Sequence, residues 1–220
     1  MSIAESIAKI RASLSEEVRL IAVSKQVPTE AMREAYKAGI RDFGESRIQE
    51  TETKQKLLED LPDITWHLIG HLQTNKAQKA LQLFQWIHSV DSLKLAQRLD
   101  RLAAELNVTP QVCLQVKLTD DPHKHGFTQP QLLEELPALI ECHHLSIQGL
   151  MAIPPLGLNE GETLTLFENA SHLAQDIRQQ WPQLPLRELS MGMSGDYHLA
   201  VKAGSTMVRL GTILFGERGA

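Results

Sequence analysis

The sequence predicts an α/β protein built as a single (β/α)8 TIM barrel, and three observations carry that expectation. Short β-rich apolar runs recur along the chain, helical stripes fall between them, and no linker or low-complexity tract interrupts the alternation. The 220 residues suffice for one substantial core and sit at the lean end of the ~200 to 400 residues such barrels occupy. A doubly wound open sheet is the alternative, because alternation alone does not report closure.

Ile3, Ile7 and Ile10 stand at helical spacing and predict an opening helix over residues 2–13. Residues 18–23, mostly apolar and β-rich, form the first expected strand. Pro28 and Thr29 then open a helix with Ala31, Met32, Ala35 and Ala38 on one face, and Gly39 supplies its stop. Further strands are expected at 40–44, 65–69, 86–90, 111–116, 146–151, 187–191 and 207–210, making eight with the first. Leu95, Leu99, Leu102, Ala103 and Leu106 form one helical stripe, and Leu166, Ala170, Leu173, Ala174, Ile177 and Trp181 another. Pro137 predicts a kink or split in the helix that follows Gln129. The expected domain organisation is one unit over residues 1–220.

Hydrophobic residues at 42% and charged residues at 22% describe a soluble globular chain. Lys and Arg number 22 against 27 Asp and Glu, a net charge of -5, which offers no basic footprint for nucleic acid or anionic membrane. At 5% aromatic residues, a base-stacking platform is also disfavoured. Glu5 interrupts the N-terminus before any signal-like apolar stretch, and no run approaches the ~20 apolar residues of a membrane span. The expected address is therefore the cytoplasm, with neither membrane nor nucleic acid as partner. Cys113 and Cys142 lack a CxxC spacing and read as buried thiols. Asn107-Val108-Thr109 fits a glycosylation acceptor only by chance in a chain that is not secreted.

Barrels and open α/β sheets both bind ligands beyond the carboxyl ends of their strands. The first strand ends in Ser24-Lys25. A lysine just past an apolar strand feels partial desolvation, which lowers an ammonium pKa and favours the amine that attacks a carbonyl, so Lys25 is a Schiff-base candidate. The alternative is a lysine that merely extends its charge into water. After the seventh strand, residues 190–196 form a turn rich in glycine and serine, and Gly211-Thr212 follows the eighth. Backbone N–H groups and hydroxyls in these two loops could hold a phosphate, as barrel loops commonly do. A lysine amine and a phosphate cradle on one rim point to a phosphorylated aldehyde.

Other patterns carry less. Gly192-Met193-Ser194-Gly195 lacks the final glycine of a hydrolase elbow, because Asp196 stands there. His67 and His71 are four apart but belong to a strand end, with Gly70 between them. His123-Lys124-His125 and His143-His144 read as loop or helix-end residues, so no metal site is expected.

Several blocks resemble the pyridoxal phosphate homeostasis protein family. They are AVSK at residues 22–25, FGESRIQE at 43–50, WHLIGHLQTNK at 66–76, LSMGMSGD at 189–196 and GSTMVRLGTILFG at 204–216. KHGF at 124–127 and GLM at 149–151 agree with it, so the resemblance spans nearly the whole chain. It implies a fold-type III pyridoxal 5'-phosphate (PLP) protein, resembling the N-terminal barrel of alanine racemase without the C-terminal β domain. Lys25 matches the lysine that holds PLP as an internal aldimine. Ser194, Gly211 and Thr212 match phosphate-binding positions, with Ser190 a possible addition, and Arg209 matches the arginine facing the pyridine nitrogen. Main chain near Met151 would pack beside the ring. Ser46 stands where the family usually has Asn, leaving a shorter side chain to reach the cofactor region; Ile48 replaces the usual Val.

The resemblance implies a protein that buffers PLP and hands it to PLP-dependent apo-enzymes, as a monomer without catalysis of its own, with indirect effects on amino-acid and keto-acid metabolism. The competing class is an amino-acid racemase or another fold-type III enzyme. Racemisation needs a proton donor or acceptor on each face of the substrate carbon, and Lys25 serves one. In racemases of this fold a tyrosine of the second domain serves the other, and 220 residues are expected to be used up by the barrel. Tyr197 is the residue to examine for that role. A Schiff-base aldolase would account for the lysine and the phosphate turns but not for the extended blocks.

Overall fold

Eight parallel strands close on themselves in the computed structural model, which describes residues 1–119 and 125–216. In chain order the strands are β1 (Arg19–Val23), β2 (Asp42–Glu45), β3 (Thr65–Leu68), β4 (Trp86–Val90), β5 (Gln111–Lys117), β6 (Phe127–Thr128), β7 (Ser146–Ala152), β8 (Glu188–Ser190) and β9 (Met207–Leu210). Closure is set by two seams. β1 pairs in parallel with both β2 and β9, and β4 pairs with β5, so no stave is left as an edge. The open sheet is thereby replaced by a closed barrel. The two-residue β6 is an addition to β5 outside the ring of eight.

The helices pack outside. α1 (Ile3–Ser13) begins at a capping box in which Ser2 and Glu5 exchange hydrogen bonds. α2 (Thr29–Lys37) ends before Gly39, whose φ of +93° is a left-handed stop suited to glycine. α3 (Ile48–Leu57), α4 (Ala77–Leu83), α5 (Leu93–Leu106), α6 (Gln129–Ile140), α7 (Glu160–Gln180), α8 (Tyr197–Lys202) and α9 (Thr212–Phe215) follow their strands in turn. α5 closes on Asn107 in the left-handed conformation, a structural reason for asparagine at that position. Contrary to the expected split, α6 runs unbroken through Pro137. The carbonyl that Pro137 leaves without a donor belongs to Leu133, an exposed residue, so water can take it.

Strand alternation sorts the core into two clusters. Leu20, Ala22, Ile87, Val112, Leu114, Leu150 and Val208 point outward into the large cluster beneath the helices. Their strand neighbours Ile21, Trp86, Cys113, Met151 and Met207 form a separate cluster inside the barrel. The barrel interior is thus packed, as in other eight-stranded barrels. Cys113 is wholly buried there and its thiol is pushed up by desolvation; Cys142 is buried by α6, with its thiol raised to about 11 by burial. Among the described residues, no helix is long and apolar enough to cross a membrane.

Candidate functional site

Lys25 leaves the end of β1 on a backbone held from below. The Ser24 hydroxyl donates to Glu45 Oε1 at 2.7 Å, and Lys54 Nζ donates to the Ser24 carbonyl at 2.6 Å. Lys54 also reaches Glu45 Oε1 at 2.8 Å and Glu50 Oε1 at 2.6 Å. On the far side, the Gln26 N–H donates to Glu50 Oε1 at 2.5 Å, with Gln26 at φ +60°. Both peptide neighbours of Lys25 are therefore fixed by one ion cluster, which sets the point from which its side chain departs. Burial drives the Glu45 carboxyl above its usual range, opposed by Lys54 and Ser24. Glu50 is desolvated less, and hydrogen bonds from Lys54 and Gln26 outweigh that effect to hold its carboxyl low. Sequence reading missed this cluster, because Glu45, Glu50 and Lys54 look like surface charges of a helix start.

Lys25, Ser46, Ser194, Arg209, Gly211 and Thr212 line one cavity of about 360 Å³ at the carboxyl ends of the strands. Ile69, Gly70, Ile153 and Met193 supply its apolar wall. On one side the Ser194 hydroxyl lies 3.3 Å from the Gly211 nitrogen and 3.5 Å from that of Ile213, so donors of the last loop converge on the turn after β8. Gly192, at φ +90°, bends that turn; a Cβ there would fall 2.7 Å from that of Ala200. On the cavity floor Arg209 is almost fully buried, and desolvation lowers its guanidinium to about 10. An amine, a cation and a loop of N–H donors are thus held around one space.

Ser190 and Met151 do not line this cavity. Met151 belongs to the barrel interior. Ser190 is wholly buried below Arg209, which donates to its hydroxyl at 2.6 Å and its carbonyl at 2.5 Å, and to the Ala152 carbonyl at 3.2 Å. Below Ser190 lies His88, with Nδ1 2.8 Å from the hydroxyl, then His67, 2.9 Å from His88 Nε2, and finally Asp42, 2.9 Å from His67 Nε2. His67 stacks on Trp86 and touches no cavity surface. No sequence signal singled out His88 or Asp42.

Tyr197 lines a different cavity, with α1 and α9, and Tyr36 bonds Asp63 on the outer surface. Elsewhere on the rim, His71 and His125 both approach Asp91 Oδ2, at 3.1 and 3.6 Å. Their rings stack 3.7 Å apart and 13° from parallel. An ion must lie in the plane of each imidazole it binds, and such planes share no nearby point, so this is a carboxylate flanked by stacked rings. His143 and His144 are exposed after α6; His123 and Lys124 lie outside the described residues.

A closed barrel with a rim lysine on its first strand and a floor arginine on its last is of the alanine racemase N-terminal kind. Residues 1–219 match the family described as alanine racemase, N-terminal domain. The chain belongs to the pyridoxal phosphate homeostasis protein family. A relative of that name from Synechocystis is 52% identical over 210 residues, covering 96% of each chain. The structure of PipY from Synechococcus elongatus with PLP bound is 55% identical, with a TM-score of 0.95 over 98% of this chain and 100% of that one. Alanine racemase of Clostridium difficile, at 16% identity and a TM-score of 0.79, is matched over 60% of its length and shares the fold.

Proposed function

We propose that this chain binds PLP in the cavity between Lys25 and Arg209 and serves PLP homeostasis, buffering the cofactor and releasing it to PLP-dependent apo-enzymes. One observation carries the reading: an amine, a buried guanidinium and a set of loop N–H donors line the same space.

The donor set suits the cofactor's parts. Ser194, Gly211 and Thr212 would hold the phosphate, Arg209 would face the ring nitrogen, and Ser46 and the apolar wall would flank the ring. When bound, the cofactor supplies an aldehyde that condenses with the Lys25 amine, releasing one water, and hydrolysis reverses the step. Ser190 and Met151 serve from beneath, through Arg209 and the barrel packing.

Holding the cofactor needs one amine, whereas racemisation needs a second acid or base across the substrate carbon. Among the described residues neither tyrosine lines the cavity, which supports a holder over a racemase. We also read the chain as a cytoplasmic monomer, from its mild net charge of -5 and its lack of an apolar leader-like stretch; light scattering checks its mass. In the decisive experiment the purified chain is titrated with PLP. A visible absorption band is expected with the native chain and not with Lys25→Ala, and borohydride reduction should place the pyridoxyl group on Lys25. Attachment at another lysine would overturn the assignment. Transfer to an apo-enzyme faster than passive dissociation would establish delivery, and an equal rate would leave buffering alone.

A further inference from the structure

The polar chain beneath Arg209 crosses the barrel interior from one mouth to the other. Asp42 opens β2 at the amino-terminal mouth, where its side chain is 25% exposed. His67 and His88 are wholly buried on β3 and β4, and Ser190 is wholly buried on β8. Each link from Arg209 to Asp42 measures 2.6 to 2.9 Å. Five strands, β2, β3, β4, β8 and β9, therefore supply one continuous path.

Its direction follows from the two ends. A guanidinium only donates and a carboxylate only accepts, whereas a neutral imidazole does one of each. Arg209 donates to the Ser190 hydroxyl, which is free to donate in turn to His88 Nδ1. His88 then carries its proton on Nε2 and donates to His67 Nδ1. His67 likewise carries its proton on Nε2 and donates to Asp42. Every donor points the same way, and both tautomers are determined.

Burial supports this protonation pattern by driving the pKa of both histidines down, most strongly for His88, where His67 and Arg209 also disfavour a second positive charge. Other charged groups near the path are Arg19, which lies over Trp86 at 5.1 Å, and its partner Glu188 at 3.9 Å. Cys113 shares the interior as a neutral thiol.

We propose that Asp42, His67, His88 and Ser190 act as a positioning relay, a one-directional chain of hydrogen bonds that orients Arg209 and tunes its contact with the ring nitrogen of PLP. The relay rests on the reading that Arg209 faces that nitrogen. It gives a role to His67 and to Ser190, neither of which lines the cavity that holds Arg209. It also couples the cofactor electrostatically to a carboxylate at the opposite mouth of the barrel.

The test uses the full chain with Asp42→Asn, which removes the terminal charge, and His67→Leu, which cuts the path. Long-range nitrogen NMR of the native chain should show His67 and His88 as neutral Nε2–H tautomers from pH 6 to 8; a proton on Nδ1 of either would overturn the relay. With PLP bound, each variant should shift the visible band or its pH midpoint and weaken PLP binding at least threefold. Folded variants with the native band, midpoint and affinity would overturn the positioning role even if the tautomers are as assigned. Should the native chain fail to take up PLP, the proposed function falls. The guanidinium nitrogen resonances of Arg209 in the ligand-free chain then decide: movement on Asp42→Asn supports the relay, and none overturns it. If a variant does not fold, the tautomers of the native chain remain decisive.

Discussion

Lys54 shows how a surface-looking residue becomes structural once the chain folds. Its side chain is 8% exposed and meets a Glu45 carboxylate that is wholly buried. Glu45 Oε2 has no hydrogen-bond partner among the described residues, so the cluster already carries an unsatisfied acceptor. Removing the cation from such a pair leaves charge buried without compensation, a loss of ~3 to 5 kcal/mol. Lys54→Ala should therefore lower stability by that order in urea unfolding, and should weaken PLP uptake because the Ser24 carbonyl loses its donor. A change below ~1 kcal/mol, the range of an exposed pair, would show that water reaches the cluster. Lys25 was singled out in the sequence by the AVSK block and by the two glycine- and serine-rich loops expected on its rim, because a lysine at a strand end by itself is usually one that extends its charge into water. Its supports were not, since the i, i+4 spacing of Glu50 and Lys54 is equally that of a solvated helix pair.

At the scale of elements, the contact between β7 and β8 depends on one absent side chain. A Cβ on Gly149 would lie 1.7 Å from the Glu188 carbonyl oxygen, on the backbone of the neighbouring strand. Gly149→Ala should cost at least the upper end of the ~1 to 3 kcal/mol typical of overpacking, seen as a lower urea midpoint. Arg209 and Ser190 also bridge this region, so the PLP band should change with it. The eight staves were readable because each is a short β-rich run set off by helical stripes. Closure was not, since the β1 to β9 pairing joins the ends of the sheet and leaves no local mark. The relay was hidden for the same reason: Asp42, His67, His88 and Ser190 are single polar residues on separate strands until register aligns them. Pro137 misled in the other direction, because the carbonyl it orphans happens to face solvent.

The molecule as a whole should lose stability as it is acidified. His67 and His88 are held neutral by burial, with pKa values depressed below the ~6.5 of an unfolded chain. Above that value neither state binds the proton, and their contribution is fully present. Below it the unfolded chain takes up protons that the folded chain refuses, so stability falls with falling pH until the folded-state values are reached. The slope approaches ~1.4 kcal/mol per pH unit for each histidine. Urea midpoints measured between pH 8 and pH 5 should fall on the acidic side, and a flat profile would mean that the interior accommodates imidazolium.

The seam between β1 and β9 has a consequence for biosynthesis. Lys25 is made long before Arg209, Gly211 and Thr212, and they meet only when β1 pairs with β9. A chain still threading the ribosome therefore has Lys25 without the Arg209, Gly211 and Thr212 that line the finished cavity with it. On the proposed reading of that cavity, capture of the vitamin is a late event in synthesis, since the nascent barrel cannot assemble the pocket until its last strand is free to join its first.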